Sequence, residues 1–393
     1  MMLALLLARR GVPVTVLEAR GDFERDFRGN TLNPAALEVL EHVGILDRLL
    51  HMRHARVSVF TIQAGAERAT FADFSRLKTR FPYILMLPQA RFLELVAKES
   101  SRYPNFRLLM GARARELVRE GGVVRGVRYE TGGATREVRA DLVVGADGRF
   151  SKTRRLAGFK AGGAGRPPPM DVVWFELPRE SGDPEGAGAV FRCGRGSLLV
   201  LMDHLDRWQV GYLIPKGRFN RLKERGLPAL RRSVAALAPE LAPVVEELDD
   251  WRKLSLLSVE ADRLERWHAP GFLLLGDAAH VVSPVGGVGI NLAIADAVAA
   301  ANTLAGPLLK GRVRTRHLRA VQRRRGLDVR VVQAAQSLAQ RWVVARALAS
   351  GTGEEKPFVL PLSLKVALKI PVLRDMPARL IAYGLLPERV RGV

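Results

Sequence analysis

Short continuous apolar runs alternate along this chain with longer segments whose apolar residues recur at helical spacing. That rhythm predicts an α/β fold over the first 157 residues and again near 265–306. Met1–Arg10 reads as an amphipathic helix that runs into Val14-Thr15-Val16-Leu17, a strand ending at Glu18. Leu37, Leu40, Val43 and Leu46 share one face of a helix predicted over Ala35–Leu50. Val57–Ala72 alternates loosely and predicts two short strands about Ala64-Gly65-Ala66. Phe81–Met86 is apolar, and Leu87-Pro88 opens a helix through Ala97. Phe106–Met110, Val123–Tyr129 and Glu137–Arg139 read as a small meander, with turns at Gly121-Gly122 and Gly132-Gly133. Leu142-Val143-Val144 is a buried parallel strand by its unbroken apolar character, and it ends in Asp147-Gly148.

Residues 158–264 break the rhythm. After a Gly/Pro linker at Gly162–Pro169, alternation predicts antiparallel strands at Val172–Leu177, Ala189–Phe191, Ser197–Leu201, Trp208–Ile214 and Leu254–Val259, with one helix at Leu227–Ala238. Phe272–Leu275 then reads as a buried strand, and an alanine-rich helix from Asn291 is expected to stop at Gly306-Pro307. Basic helical segments follow at Leu318–Trp342 and Phe358–Leu386. The expected organisation is a discontinuous nucleotide-binding domain (1–55, 84–157 and 265–306), a substrate domain (56–83 and 158–264) and a helical C-terminal region (307–393).

Composition narrows the function classes. The chain has 393 residues, enough for two or three domains and a sizeable core. No uninterrupted apolar run reaches the ~20 residues of a membrane span. Met1–Leu7 lacks both the basic segment and the cleavage site of a secretory signal. The single cysteine, Cys193, excludes an internal disulfide and a cysteine-held metal cluster, and it agrees with a cytoplasmic location. The net charge of +22 attracts anions generally, but the basic residues are dispersed and no nucleic-acid-binding signature is present. The basic C-terminal helices allow peripheral contact with an anionic membrane.

The candidate chemistry gathers at Gly271–Ala305. Gly276-Asp277 stands at the C-terminal end of a buried strand, where parallel sheets bind ligands. Pro284, Gly286, Gly287 and Gly289 let the backbone approach a ligand closely and open a helix N-terminus at Ile290 and Asn291. Glu18, ending a strand shortly after a helix, is placed to accept hydrogen bonds from ribose hydroxyls. Arg149, Lys152, Arg154 and Arg155 after Asp147-Gly148 suit either phosphates or a solvated face. Tyr83, Trp174, Trp208 and Tyr212 are candidate lining residues of a substrate pocket beside the antiparallel sheet. No residue is assigned as catalytic acid or base, His280 included, and no metal site is expected.

These segments resemble the flavoprotein aromatic hydroxylases, the para-hydroxybenzoate hydroxylase-like monooxygenases, among them hydroxylases of ubiquinone biosynthesis. The string GDAAH, followed by Pro284, Gly286, Gly289 and Asn291, carries the resemblance, with Val143–Gly148 and Glu18–Arg28 in the same order. The resemblance implies a doubly wound, Rossmann-like FAD domain interrupted by an antiparallel substrate sheet. It implies that Asp277 holds the ribitol of FAD, and that the loop through Gly289–Asn291 lies against the pyrimidine edge. It further implies cofactor contacts from Arg28, from Gln89 or Arg91, and from Asp147-Gly148. The activity implied is hydroxylation of an aromatic or quinone-like small molecule, with NADH or NADPH as reductant and O2 activated as a C4a-hydroperoxyflavin. One departure stands out. The family opens with a strand and a G-x-G-x-x-G turn, whereas this sequence starts inside the helix that follows them. The expectation is that the true start lies upstream and that FAD binding by this chain alone is impaired. The alternatives are a flavin oxidoreductase that does not hydroxylate, or an inactive relict.

Overall fold

The computed structural model describes residues 1–24, 31–160, 168–180, 188–194, 196–204, 206–349, 359 and 362–392. The Gly162–Pro169 linker and Arg28 fall wholly or mostly outside these residues.

The architecture is a Rossmann-like α/β unit interrupted by antiparallel sheets and followed by a helical C-terminal region. In the α/β unit, Val14–Leu17 pairs in parallel with Phe106–Leu109, and Val143–Gly145 pairs in parallel with Phe272–Leu274. His268–Ala269 closes the second piece as an antiparallel edge. The two pieces are separate sheets: among the described residues, no backbone pairing joins Val14–Leu17 to Val143–Gly145. Val14–Leu17 is correspondingly half-buried, with Thr15 exposed, although parallel strands are normally covered on both sides.

The Met2–Ala8 helix is buried on nearly every side, not on one face as an amphipathic helix would be. It packs with Pro34–Val43, Gln89–Ser100 and the long helix Gly289–Leu309 in one apolar cluster. Gly44, in the left-handed conformation at φ 74°, splits the single helix expected over Ala35–Leu50 into Pro34–Val43 and Leu46–Leu50. Gly289–Leu309 continues past the expected stop at Gly306-Pro307, because a proline in the last turn removes only one intrahelical hydrogen bond. At 21 residues this helix is long and apolar enough to cross a membrane by composition. Its Leu292, Val298, Ala300 and Leu304 are instead buried in the core.

The meander differs from expectation. Its strands are Arg113–Glu120, Val123–Thr131 and Ala134–Arg139, while Phe106–Leu109 belongs to the parallel sheet. Arg113–Glu120 carries five charged side chains, which hid it from hydrophobic patterning.

The second unit is a seven-stranded sheet. Its order is Ser255–Leu257, Met170–Pro178, Arg207–Pro215, Ser197–His204, Ala189–Gly194, Val59–Ala64 and Glu67–Asp73. One face packs against the helix Phe219–Leu237, through Val173, Phe175, Trp208, Val210 and Tyr212. The other face looks into the protein's large cavity.

The basic helix Thr315–Ala339 lies against Gly289–Leu309 on its own protein. After the helix Pro371–Tyr383 the chain returns across it. The Leu385 N–H donates to Asp328 Oδ1 at 2.6 Å, and Arg324 Nε pairs with Glu388 at 2.6 Å. Further on, Asn302 donates to the Arg389 carbonyl at 2.8 Å and accepts from the Arg391 N–H at 3.1 Å. Arg10, from the first helix, donates to the same Asn302 at 2.8 Å.

Candidate functional site

A cavity of about 2220 Å³ runs from the gap in the parallel sheet to the inner face of the antiparallel sheet. It is well above the size that holds one small molecule. Its first part is bounded by Val14–Glu18 on one side and Leu142–Gly148 on the other, with Arg20, Arg107, Arg113 and Lys152 adding positive charge. Its middle is the loop Ser283–Gly289 and the start of Gly289–Leu309. Its far wall is apolar, formed by the antiparallel sheet with Leu338, Trp342, Pro377 and Ile381.

The loop geometry follows from its glycines. Gly286 and Gly287 have φ of 81° and 62°, a region that side chains with a Cβ avoid. A Cβ on Gly287 would stand 2.7 Å from Thr31 Oγ1, and that hydroxyl donates to the Gly287 carbonyl at 2.8 Å. No side chain caps Gly289–Leu309. The first N–H groups of a helix lack intrahelical partners, so this end offers backbone donors and the positive end of the helix dipole to the cavity.

Among the residues singled out from the sequence, Glu18, Gln89, Asp147, Gly148, Gly276, Asp277, Pro284, Gly286, Gly287, Gly289 and Ile290 line the cavity. Glu18 accepts from the Arg20 N–H at 2.9 Å. Asp147 is engaged locally: its carboxylate accepts from the Thr153 N–H at 2.8 Å and the Thr153 hydroxyl at 2.7 Å. Two expected contacts need correction. Asn291 turns its side chain away from the cavity and ties the loop down, donating to the Thr31 and Gly287 carbonyls and accepting from the Asn33 N–H at 3.0 Å. Arg91 lies on the exposed face of its helix, paired with Glu94 at 3.3 Å. Of the four aromatic candidates, Trp174 lines the cavity. Trp208 and Tyr212 point to the opposite face of the sheet, and Tyr83 packs in the helical core under Arg56.

Two buried networks that sequence reading missed brace this region, the first the Gly276–His280 segment that leads into the loop and the second the loop itself. The first centres on Asp296, which is wholly buried. Its Oδ2 accepts from the Gly276 N–H at 2.9 Å and from His280 Nε2 at 2.6 Å, and its Oδ1 accepts from Arg325 Nε at 2.9 Å. Arg325, also 0% exposed, pairs in turn with Asp328 at 2.8 Å. Burial alone would raise the Asp296 pKa. His280, Arg325 and the Gly276 N–H outweigh it and hold the carboxyl below its ordinary value. The second network is a row of glutamines on Thr315–Ala339 and the turn after it. Gln333 Nε2 donates to the Val281 carbonyl at 2.9 Å. Gln336 Nε2 donates to the Ser283 and Val285 carbonyls at 2.9 and 2.7 Å, and its Oε1 accepts from the Ser283 N–H at 3.2 Å. Gln340 reaches the Ser283 hydroxyl. Their spacing of three and four is the one signal the sequence held, since such residues share a helix face. Gln336→Leu leaves three backbone groups of the loop unpaired, the two of Ser283 buried and the Val285 carbonyl half-buried. It is expected to cost at least ~1–3 kcal/mol in urea unfolding, and wild-type unfolding in this variant would show that Gln336 does not brace the loop.

The donor set suits FAD. Carboxylates at Glu18 and Asp277 match ribose and ribitol hydroxyls, and backbone N–H groups match an electron-rich ring edge. Comparison with known proteins agrees. The FAD binding domain family matches residues 1–335. Over 99% of its length the chain is 34% identical to a 6-methylpretetramide 4-monooxygenase of Streptomyces rimosus, covering 91% of that protein. An aromatic compound monooxygenase of Bacillus subtilis is 27% identical over 76% of this chain, which spans 57% of that protein. In fold alone, the chain resembles the p-nitrophenol 4-monooxygenase of Pseudomonas putida, with TM-score 0.75, 22% identity and coverage of 98% and 95% of the two chains.

Proposed function

The chain belongs to the FAD binding domain family of flavoprotein monooxygenases, and from that premise we infer how its own residues serve the reaction. It is an FAD-dependent oxidoreductase that uses NAD(P)H and O2 to hydroxylate an aromatic or quinone-type small molecule. The observation that carries the assignment of roles is the uncapped start of Gly289–Leu309, which opens between Asp277 and an aromatic-walled chamber.

Bound flavin, once reduced by NAD(P)H, supplies the activation of O2. The chain does the rest. Glu18 holds ribose hydroxyls, and Asp277 holds the ribitol. The N–H groups of Gly289 and Ile290 would donate to the flavin's electron-rich ring edge, where preorganised donors are worth ~2.7–4 kcal/mol each. Gln89 approaches from the start of its helix and both donates and accepts. The antiparallel sheet holds the substrate and excludes water.

The break in the parallel sheet has a specific reading as well. Two strand edges, Val14–Leu17 and Val143–Gly145, face one cavity without a strand partner on that side among the described residues. We propose that this slot takes an apolar strand whose glycine-rich turn leads into Met2–Ala8 and cradles the pyrophosphate.

One set of preparations tests both readings: the chain as given, and the chain extended at its N-terminus by an apolar strand and a G-x-G-x-x-G turn. Flavin absorbance is expected to be weak in the first and stoichiometric in the second, and equal flavin content would remove the slot proposal. NAD(P)H oxidation with a phenolic substrate should yield a product heavier by one oxygen atom. Oxidation of NAD(P)H without oxygen insertion into any aromatic substrate would point to a reductase.

A further inference from the structure

The chamber wall carries more information than its position. Lining residues come from all strands of the seven-stranded sheet, which is antiparallel except where Ala189–Gly194 meets Val59–Ala64, and from Trp174 to Phe191 the floor crosses four adjacent strands. At the usual strand spacing that is roughly 14 Å, far wider than a single aromatic ring. Trp174 lies flat on this floor: a Cβ on Gly211, its cross-strand partner, would fall 2.8–2.9 Å from two atoms of the indole ring. The side chains that the sheet and the segments from Val332 to Ile381 bring to the cavity include no Lys, Arg, Asp or Glu among the described residues.

One amide interrupts this wall. Gln209 is 2% exposed and lines the cavity, and its side-chain amide makes no hydrogen bond among the described residues. It sits two residues from Gly211, on the same face of the strand as that glycine and Leu213. The other cavity-lining glutamine here, Gln336, is spent on the loop. An amide that meets the cavity with no protein partner is placed for a ligand to complete.

Resting on the monooxygenase reading above, we propose that Gln209 is the substrate-orienting residue of a chamber built for an uncharged, planar, multi-ring aromatic molecule. Gln209 bonds a hydroxyl or carbonyl oxygen on the ring edge, while Trp174 stacks on the ring face. The lack of any cation on this wall selects against carboxylates, because a buried anion would have no counter-charge.

The test uses the full chain and needs no flavin. A dihydroxyanthraquinone, the same molecule bearing a carboxylate, unsubstituted anthracene and 4-hydroxybenzoate are titrated by calorimetry and by quenching of tryptophan emission. The neutral dihydroxy compound is expected to bind, and the carboxylated one more weakly by on the order of a hundredfold. Gln209→Leu should weaken the dihydroxy compound by about tenfold, the usual worth of a neutral hydrogen bond. It should leave anthracene binding unchanged and hold the thermal midpoint, since the amide braces no other residue. A merely structural glutamine would weaken both ring ligands alike and lower the midpoint. That pattern, no loss at all, or equal binding of the carboxylate overturns the proposal. Failure to load flavin or to consume O2 counts against the monooxygenase reading alone.

Discussion

Arg325→Met is expected to destabilise the protein by about 3–5 kcal/mol, the cost of leaving a buried charge without its partner. The guanidinium neutralises Asp296 and Asp328 together, and neither carboxylate reaches solvent. Acid unfolding shows the same network through its sign. Asp296 is held below its ordinary pKa in the folded protein, so its contribution is fully present above the unfolded value near ~4 and is lost as pH falls through the lower folded value. Without Arg325 one of the groups opposing burial is gone, the folded pKa rises, and acid unfolding begins at higher pH. Adding Asp296→Asn to Arg325→Met should recover part of the loss, because the amide oxygen still accepts the Gly276 N–H without carrying charge. Urea melts across a pH series measure all three proteins. A single variant with the wild-type midpoint and acid limit would show that this ion pair does not hold the Gly276–His280 segment.

Gly287→Val is expected to act on function first. Valine must adopt a positive φ that β-branched residues essentially never take, and its Cβ must displace Thr31, the residue that tethers the loop. The strain is about 1–3 kcal/mol. The larger effect is displacement of the backbone donors beside it: a shift of about 1 Å commonly costs on the order of a hundredfold in rate. Adding Thr31→Ala removes the contact but not the torsional strain, so it should restore only part of the activity. Gly326→Ala is the control. That glycine is helical with nothing within 4 Å of an added Cβ, and alanine should stabilise by ~0.5–1 kcal/mol. Steady-state turnover together with flavin content separates the cases, and a Gly287→Val enzyme with undiminished turnover would falsify the placement of this loop at the reaction centre.

How much of this was legible before folding depended on the kind of signal. The α/β order and the glycine loop were readable because backbone demands write themselves into residue type: positive φ at Gly286 and Gly287 admits few alternatives. Facing was harder. Asn291 and Arg91 stand in segments that do approach the cavity, but one helical position decides whether a side chain meets the ligand, the scaffold or water. The aromatic candidates failed for a related reason. In the antiparallel register Trp174 stands opposite Gly211, so it shares a face with Gln209 and not with Trp208 or Tyr212. A sheet covered by a helix on one side and a closed chamber on the other has apolar residues on both, so alternation no longer tells inside from outside. Gln209 and Asp296 left no pattern at all, because a single polar residue in an apolar run gains meaning only from what surrounds it.

The strap formed by Leu385–Arg391 has a consequence for how the chain comes into being. During synthesis the Gly289–Leu309 and Thr315–Ala339 helices emerge before the segment that satisfies Arg324, Asp328 and Asn302. Until that segment leaves the ribosome, Arg325 and its carboxylates form an incompletely paired cluster at the heart of the nucleotide-binding half. The Gly276–His280 segment that Asp296 anchors therefore becomes rigid only after Leu385–Arg391 has been made. A nascent chain stalled short of the strap should therefore remain protease-sensitive at Gly276–His280 even though every described strand is already made.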